Sequence, residues 1–165
     1  MFGLIVGVSG VVLLGIGAAV GIFVVGMRSG WSPVVDAVRR NNRTRLNPKQ
    51  METAGQAGAE ASILRHTGRV SGIEYETPLD AIPTDDGFAI ALVYGDRTEW
   101  LKNVLASGSA TIVREGSAYE VGRPEVVPIA QEKEYFSTSD RRSQRILGTR
   151  TALLLRHVGT NAAPG

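Results

Sequence analysis

The chain contains no cysteine, which excludes disulfides, thiol nucleophiles and thiolate metal sites but selects no compartment. Only two histidines occur, His66 and His157. Neither sits with carboxylates at metal-ligand spacing, so no metal site is expected. Each is by default a satisfied structural residue, with a catalytic role for His66, beside a glycine turn, as the sharper alternative. No G-x-G-x-x-G follows a strand, and neither a Walker-type G-K-[ST] nor a G-x-S-x-G is present. The sequence signatures of dinucleotide binding, P-loop nucleotide binding and serine hydrolysis are therefore missing. Internal repeats and low-complexity linkers are absent as well. Charge is missing altogether from residues 1–27.

That uncharged stretch is apolar over 24 positions from Leu4 to Met27, apart from Ser9, enough for a helix to cross a hydrocarbon core. A secretory signal is the competing reading. The segment lacks a basic start and a small-x-small cleavage site, and it is long for a signal's apolar core. Residues 1–29 are accordingly expected to be a transmembrane anchor. Gly17 and Gly21, four apart, fit close helix packing, although glycine is common in membrane helices in any case. Nothing basic precedes the run, whereas Arg28, Arg39, Arg40, Arg43, Arg45 and Lys49 follow it. Positive charge stays inside, which predicts a single pass with the remainder facing the cytoplasm. Residues 28–69 carry eight Lys/Arg against three Asp/Glu, and residues 70–165 carry ten against thirteen. A basic segment beside a membrane helix suits anionic lipid headgroups. Without interleaved aromatics or a recognisable motif, it does not point to nucleic acid.

Trp31 stands where an interfacial aromatic is expected, and Ser32-Pro33 offer an N-cap and first-turn proline to a short helix over 34–41. Val34, Val35 and Val38 share one of its faces. Asn47-Pro48 opens a second helical piece that glycines end at 55–58. Residues 30–60 thus read as a basic helical collar. From 61 to 159 the chain is mostly strand, over 63–67, 73–82, 88–94, 110–114 and 118–121, with 126–128 continuing the sheet. Asp85-Asp86-Gly87 forms a turn and Glu115-Gly116-Ser117 a tight hairpin. Residues 98–106 form a helix with Thr98 as N-cap, Glu99 in its first turn and Gly108 past its end. Trp100, Leu101, Val104 and Leu105 form its expected buried side. Residues 129–136 and 139–147 are expected to be helical, 151–158 a last strand, and 160–165 a loose tail. The fold class is mainly β (α+β): a small barrel with short flanking helices. The strand–helix alternation of a parallel doubly wound sheet is missing.

The turn Thr67-Gly68-Arg69-Val70-Ser71-Gly72 brings backbone N–H groups, two hydroxyls and a guanidinium into one short loop. Such a loop suits a tetrahedral oxyanion; glycine hairpins with a solvated arginine also occur without any ligand. Arg97 and Lys102, flanking the start of the 98–106 helix, either add to an anionic site or are solvated.

Two stretches together carry a resemblance: His66-Thr67-Gly68-Arg69-x-Ser71-Gly72 with Glu76-Thr77-Pro78-Leu79, and Tyr94-Gly95-Asp96-Arg97-Thr98-Glu99-Trp100-Leu101-Lys102-Asn103. Over roughly 41–127 the chain resembles the deazaflavin-dependent nitroreductase family of actinobacteria, whose members use coenzyme F420 on a split β-barrel. The resemblance implies that Thr67, Gly68, Arg69, Ser71 and Gly72 bind the cofactor's phosphate and acidic tail, with Val70 in place of the usual lysine. It implies that Thr77 and Pro78 lie along the deazaflavin ring and that Trp100 and Asn103 sit near the ring and its ribityl chain; Arg97, from its place beside the helix start, is counted with the cofactor-binding set. The tyrosines that shape the nitro-drug pocket near the C-terminus of the best-known member have no counterpart in 141–147, and only Tyr135 precedes that stretch.

Reduced deazaflavin carries the hydride, so the protein is asked to position, to exclude water and to stabilise the developing anion. Ser71, Tyr75, Tyr94 and Tyr135 are the candidate hydroxyl donors. The expectation is a membrane-anchored oxidoreductase passing hydride from reduced F420 to a quinone or nitroaromatic acceptor. An FMN-dependent split-barrel reductase and a non-catalytic deazaflavin-binding module are the alternatives. The sequence leaves the oligomeric state open.

Overall fold

Alternation sets the first strand. Ser62, Leu64 and His66 of β1 (Ser62–Thr67) are buried, whereas Ile63 and Arg65 are only partly covered and Thr67 is exposed. A computed structural model describes residues 16, 18–41 and 46–158. In it β1 pairs antiparallel with β2 (Glu74–Leu79) on one edge and with β5 (Ser109–Arg114) on the other. β5 turns directly into β6 (Ser117–Pro128): Arg114 faces Ser117 across Glu115 and Gly116, whose φ values are 50° and 76°. Positive φ at both positions is the turn whose twist matches the flanking strands. β6 then pairs with β7 (Thr151–His157), β7 with β4 (Gly87–Ala91), and β4 with the two-residue β3 (Ile82–Pro83).

The resulting seven-stranded sheet has the order β2-β1-β5-β6-β7-β4-β3. It curls into an antiparallel half-barrel flanked by short helices, a mixed α and β fold where a mainly β barrel was expected. Much of the curl comes from β6. Its register shifts between Gly122 and Glu125, and Arg123 there takes a φ of 50°, a bulge that bends the strand and sharpens its twist. The stretches expected as separate strands at 118–121 and 126–128 are the two arms of this one bent strand.

Other expectations change as well. The 73–82 strand breaks at Asp80-Ala81 into β2 and β3, and the 88–94 strand stops at Ala91. Residues 129–136 hold only a 3₁₀ turn, Lys133–Tyr135, instead of a helix. Ile129 N–H bonds to Arg150 O and Phe136 is buried in an apolar cluster with Ala89, Val127 and Ala152. Pinned at both ends, the segment folds as short turns.

Helix α4 (Glu99–Ser107) follows Thr98 and ends on Gly108, whose left-handed φ of 73° lets its N–H reach Val104 O. Leu101 and Val104 are fully buried against Leu64, Ile112, Val121, Leu153 and Leu155. Leu105, expected on the buried side, is 44% exposed, and Asn103 takes the covered position instead. Leu105→Ala is therefore expected to shift Tm by no more than about 2 °C in a thermal melt, as an exposed substitution should.

Among the described residues three helices precede the sheet: α1 (Ala18–Ser29), α2 (Ser32–Asn41) and α3 (Asn47–Met51). The first two meet at a 102° bend, where Gly30 has a φ of 67°. Among the described residues no single helix is long and apolar enough to cross a membrane. The expected anchor falls largely on residues 1–15 and 17, which lie outside the described residues, as does the expected tail. The last helix, α5 (Thr138–Leu147), is started by a reciprocal cap between Ser137 and Asp140, which satisfies two otherwise orphan N–H groups. Arg28 of α1 donates to the carbonyl of Arg145 on α5 at 2.5 Å.

Candidate functional site

A cavity of about 1300 Å³ opens between the β1–β2 hairpin, the 92–97 loop, α4 and the helices α2, α3 and α5. Of the residues singled out in the sequence, Gly68, Arg69, Ser71, Thr77, Pro78, Tyr94, Arg97, Trp100 and Asn103 line it, and so does Tyr75. Thr67, Gly72 and Tyr135 are not part of its wall. Thr67 is exposed at the end of β1. Gly72 shapes the turn instead, with a φ of 68° and its N–H bonded to Gly68 O at 2.8 Å. Tyr135 sits on the 3₁₀ turn, where lost hydration and then the carboxylates of Asp85 and Glu134 hold its phenol above the ordinary range.

The turn is drawn tight because residue 68 has no side chain. A Cβ there would lie 2.4 Å from Ser71 Oγ and 2.7 Å from a Tyr75 ring carbon. The Ser71 and Tyr75 hydroxyls are 3.2 Å apart. Arg69 leaves the turn and reaches α4. Its backbone N–H and its Nη1 both donate to Asn103 Oδ1, at 3.2 and 2.9 Å, and its Nη2 pairs with Glu99 at 2.8 Å. The two sequence stretches that carried the resemblance are thus joined by direct hydrogen bonds.

Behind this junction lies a buried polar chain. Asn103 Nδ2 is 3.2 Å from His66 Nδ1, and His66 Nε2 is 3.2 Å from Thr77 Oγ1. His66 and Asn103 are only 5% and 6% exposed. Burial pushes the His66 imidazole below its ordinary value of 6.5, favouring the neutral ring. Tyr75 stacks on that ring with centroids 5.9 Å apart. None of this was legible in the strand pattern beyond the alternation that turns His66 inward.

Glu99 faces both cations at the helix start, bonding Lys102 at 2.8 Å as well as Arg69. Lys102 and then Arg69 hold its carboxyl below the usual range. It therefore occupies the place an incoming anion would take at Arg69, from a side chain 67% exposed to solvent. Glu99→Gln is expected to tighten binding of inorganic pyrophosphate by about two- to fivefold in a calorimetric titration, the modest size reflecting solvent screening.

The sequence reading missed the opposite walls. Asp36, Arg39 and Arg40 of α2, read as a membrane-facing collar, line the cavity, and Arg39 Nη2 donates to Tyr94 O at 2.6 Å. Asp140, Ser143, Gln144 and Leu147 of α5 line it too. Their spacing of three, four and seven is one helix face, the signal that was available. Asp80, also in the wall, has its carboxyl raised by lost hydration and then by Asp140, with Arg114 opposing.

No model of a known protein family matches the sequence, and no curated protein does. Among solved structures, one described as a domain-swapped dimer aligns with a TM-score of 0.50 at 13% identity, over 76% of this chain and 100% of that one. An F420-H2 dependent reductase, FDR-A, aligns with a TM-score of 0.47 at 12% identity over 59% of this chain and 94% of its own. A protein related to general stress protein 26, of the pyridoxinephosphate oxidase family from Clostridium acetobutylicum, aligns at 0.45 and 10% identity over 67% and 80%. The first likeness is one of fold; the other two are too slight to carry weight.

Proposed function

We propose that this chain is an oxidoreductase that holds a deazaflavin of the F420 type in the cavity and serves a small apolar acceptor of the quinone or nitroaromatic class. The observation that carries this reading is the bonding of Arg69 to Asn103 at 2.9 Å, which unites the glycine turn and the W-x-x-N helix in one wall. The residues present suit such a group. The cavity is roomy enough for a three-ring heterocycle with a charged tail, the side-chain-free Gly68 leaves the turn close-drawn, and Arg69 supplies a cation. Val70, 91% exposed, stands where the resemblance implies lysine, so the tail is gripped by one cation fewer.

When bound in its reduced form, the deazaflavin supplies the hydride. The chain's own residues do the rest. Arg69 and Ser71 hold the anionic end, and Trp100 and Pro78 flank the ring. Leu79, Ile82, Ile90, Leu92, Phe136 and Leu147, all in the wall, exclude water and accept an apolar partner.

The apolar N-terminal stretch anchors the chain in a membrane, with the sheet on the cytoplasmic side. Support comes from α2: the segment that follows the apolar run is itself a wall of the cavity, so in an anchored chain the acceptor would enter close to lipid, where quinones reside. Detergent-solubilised full chain should oxidise the reduced cofactor in the presence of menadione or a nitroaromatic. Tight binding without turnover on either acceptor class would leave a carrier module in place of an enzyme. Full chain that remains free of anionic vesicles in a flotation assay would end the anchor.

A further inference from the structure

We infer that His66 is a positioning residue: its tautomer is fixed from Arg69 through Asn103, and it aims the Thr77 hydroxyl as a donor into the cavity. The inference follows from counting donors. Arg69 N–H and Nη1 have only protons to give, so the Asn103 atom that both contact, at 3.2 and 2.9 Å, is the amide oxygen. The amide nitrogen is then the atom facing His66 Nδ1 at 3.2 Å. An amide NH₂ only donates, so Nδ1 is the acceptor and carries no proton. The neutral ring, favoured by burial, keeps its single proton on Nε2, which donates to Thr77 Oγ1 at 3.2 Å. With that contact accepted, the hydroxyl proton of Thr77 is left for a partner elsewhere, and Thr77 lines the cavity.

The polarity of the whole chain is thus set at Arg69 and runs one way, Arg69 to Asn103 to His66 to Thr77. Each link orients the next. A ligand seated against Thr77 is therefore offered an O–H donor, which suits a carbonyl oxygen or an unprotonated ring nitrogen, and only one lone pair of the hydroxyl remains to accept. The inference rests on the cavity being the ligand site proposed above, but its first test needs no ligand.

Nitrogen-15 NMR of ligand-free protein labelled at histidine should show His66 protonated on Nε2 and bare on Nδ1. A proton on Nδ1 in the wild type would overturn the inference. The second arm is fluorescence titration with oxidised F420 and with FMN. Thr77→Val should weaken whichever binds by about three- to tenfold, the loss of one hydrogen bond, while Thr77→Ser restores it. His66→Phe should cost about the same, and the double variant should cost no more than either single one. Unchanged affinity in Thr77→Val, or additive losses in the double variant, would also overturn the inference. Wild type that binds neither cofactor would sink the preceding functional reading, and the NMR result would then decide this one alone.

Discussion

Arg69→Ala is expected to keep the fold and lose about ten- to hundredfold in affinity for F420. The fold survives because the ion partner, Glu99, has a side chain 67% exposed and Arg69 one 32% exposed, and such pairs add little to stability. A Tm within about 2 °C of wild type is the expected melt. The backbone N–H of residue 69 still donates to Asn103 Oδ1, so the amide keeps its orientation and the buried chain to Thr77 stays intact. What disappears is the turn's one guanidinium, and charge-assisted contacts to a phosphate are among the stronger hydrogen bonds. Lys102 does not compensate, since Glu99 holds it at 2.8 Å and it lies outside the cavity wall. Comparison of Kd and Tm for the two proteins checks both halves of the expectation.

Gly87→Ala is expected to be the most destabilising small substitution in the sheet, at about 3 kcal/mol, which lowers Tm by roughly 6–12 °C. Gly87 opens β4 opposite Arg156, and an added Cβ would sit 1.8 Å from the Leu155 carbonyl oxygen and 2.8 Å from Arg156 Cα. Both obstacles are backbone atoms. β7 is held between β6 and β4, so neither strand can retreat without breaking a ladder on its far side. Alanine at Gly72, with a φ of 68° but open space around it, should cost only about 1 kcal/mol. A pair of thermal melts separates close approach from backbone conformation.

Gly87 also marks how far a sequence can be read. Asp85-Asp86-Gly87 gives a turn correctly, but the reason for its glycine is a strand about 70 residues later, at Leu155 and Arg156, and nothing local encodes that. The same division runs through the chain. Period-two alternation found β1, and the N-cap and C-cap residues found α4 to within one position. The Glu115-Gly116 pair found its hairpin. Local signals fail where the sheet imposes long-range constraint: the bulge that makes β6 one strand, the pinned turns after Pro128, and Leu105, turned outward because Asn103 is needed inside. At the site, the turn and the helix were each visible as motifs, but their contact through Arg69 and Asn103 was not. Nor were the walls from α2 and α5, since Arg39 and Arg40 read equally well as charges beside a membrane.

We propose that the wall formed by Arg69, Asn103 and Thr77 binds a deazaflavin. Equilibrium titration of detergent-solubilised full chain with oxidised F420, followed by cofactor fluorescence, tests it most directly. Saturable binding at one site, weakened in Arg69→Ala and competed by pyrophosphate, is the predicted result. No saturable change, or equal affinity in wild type and Arg69→Ala, would contradict it.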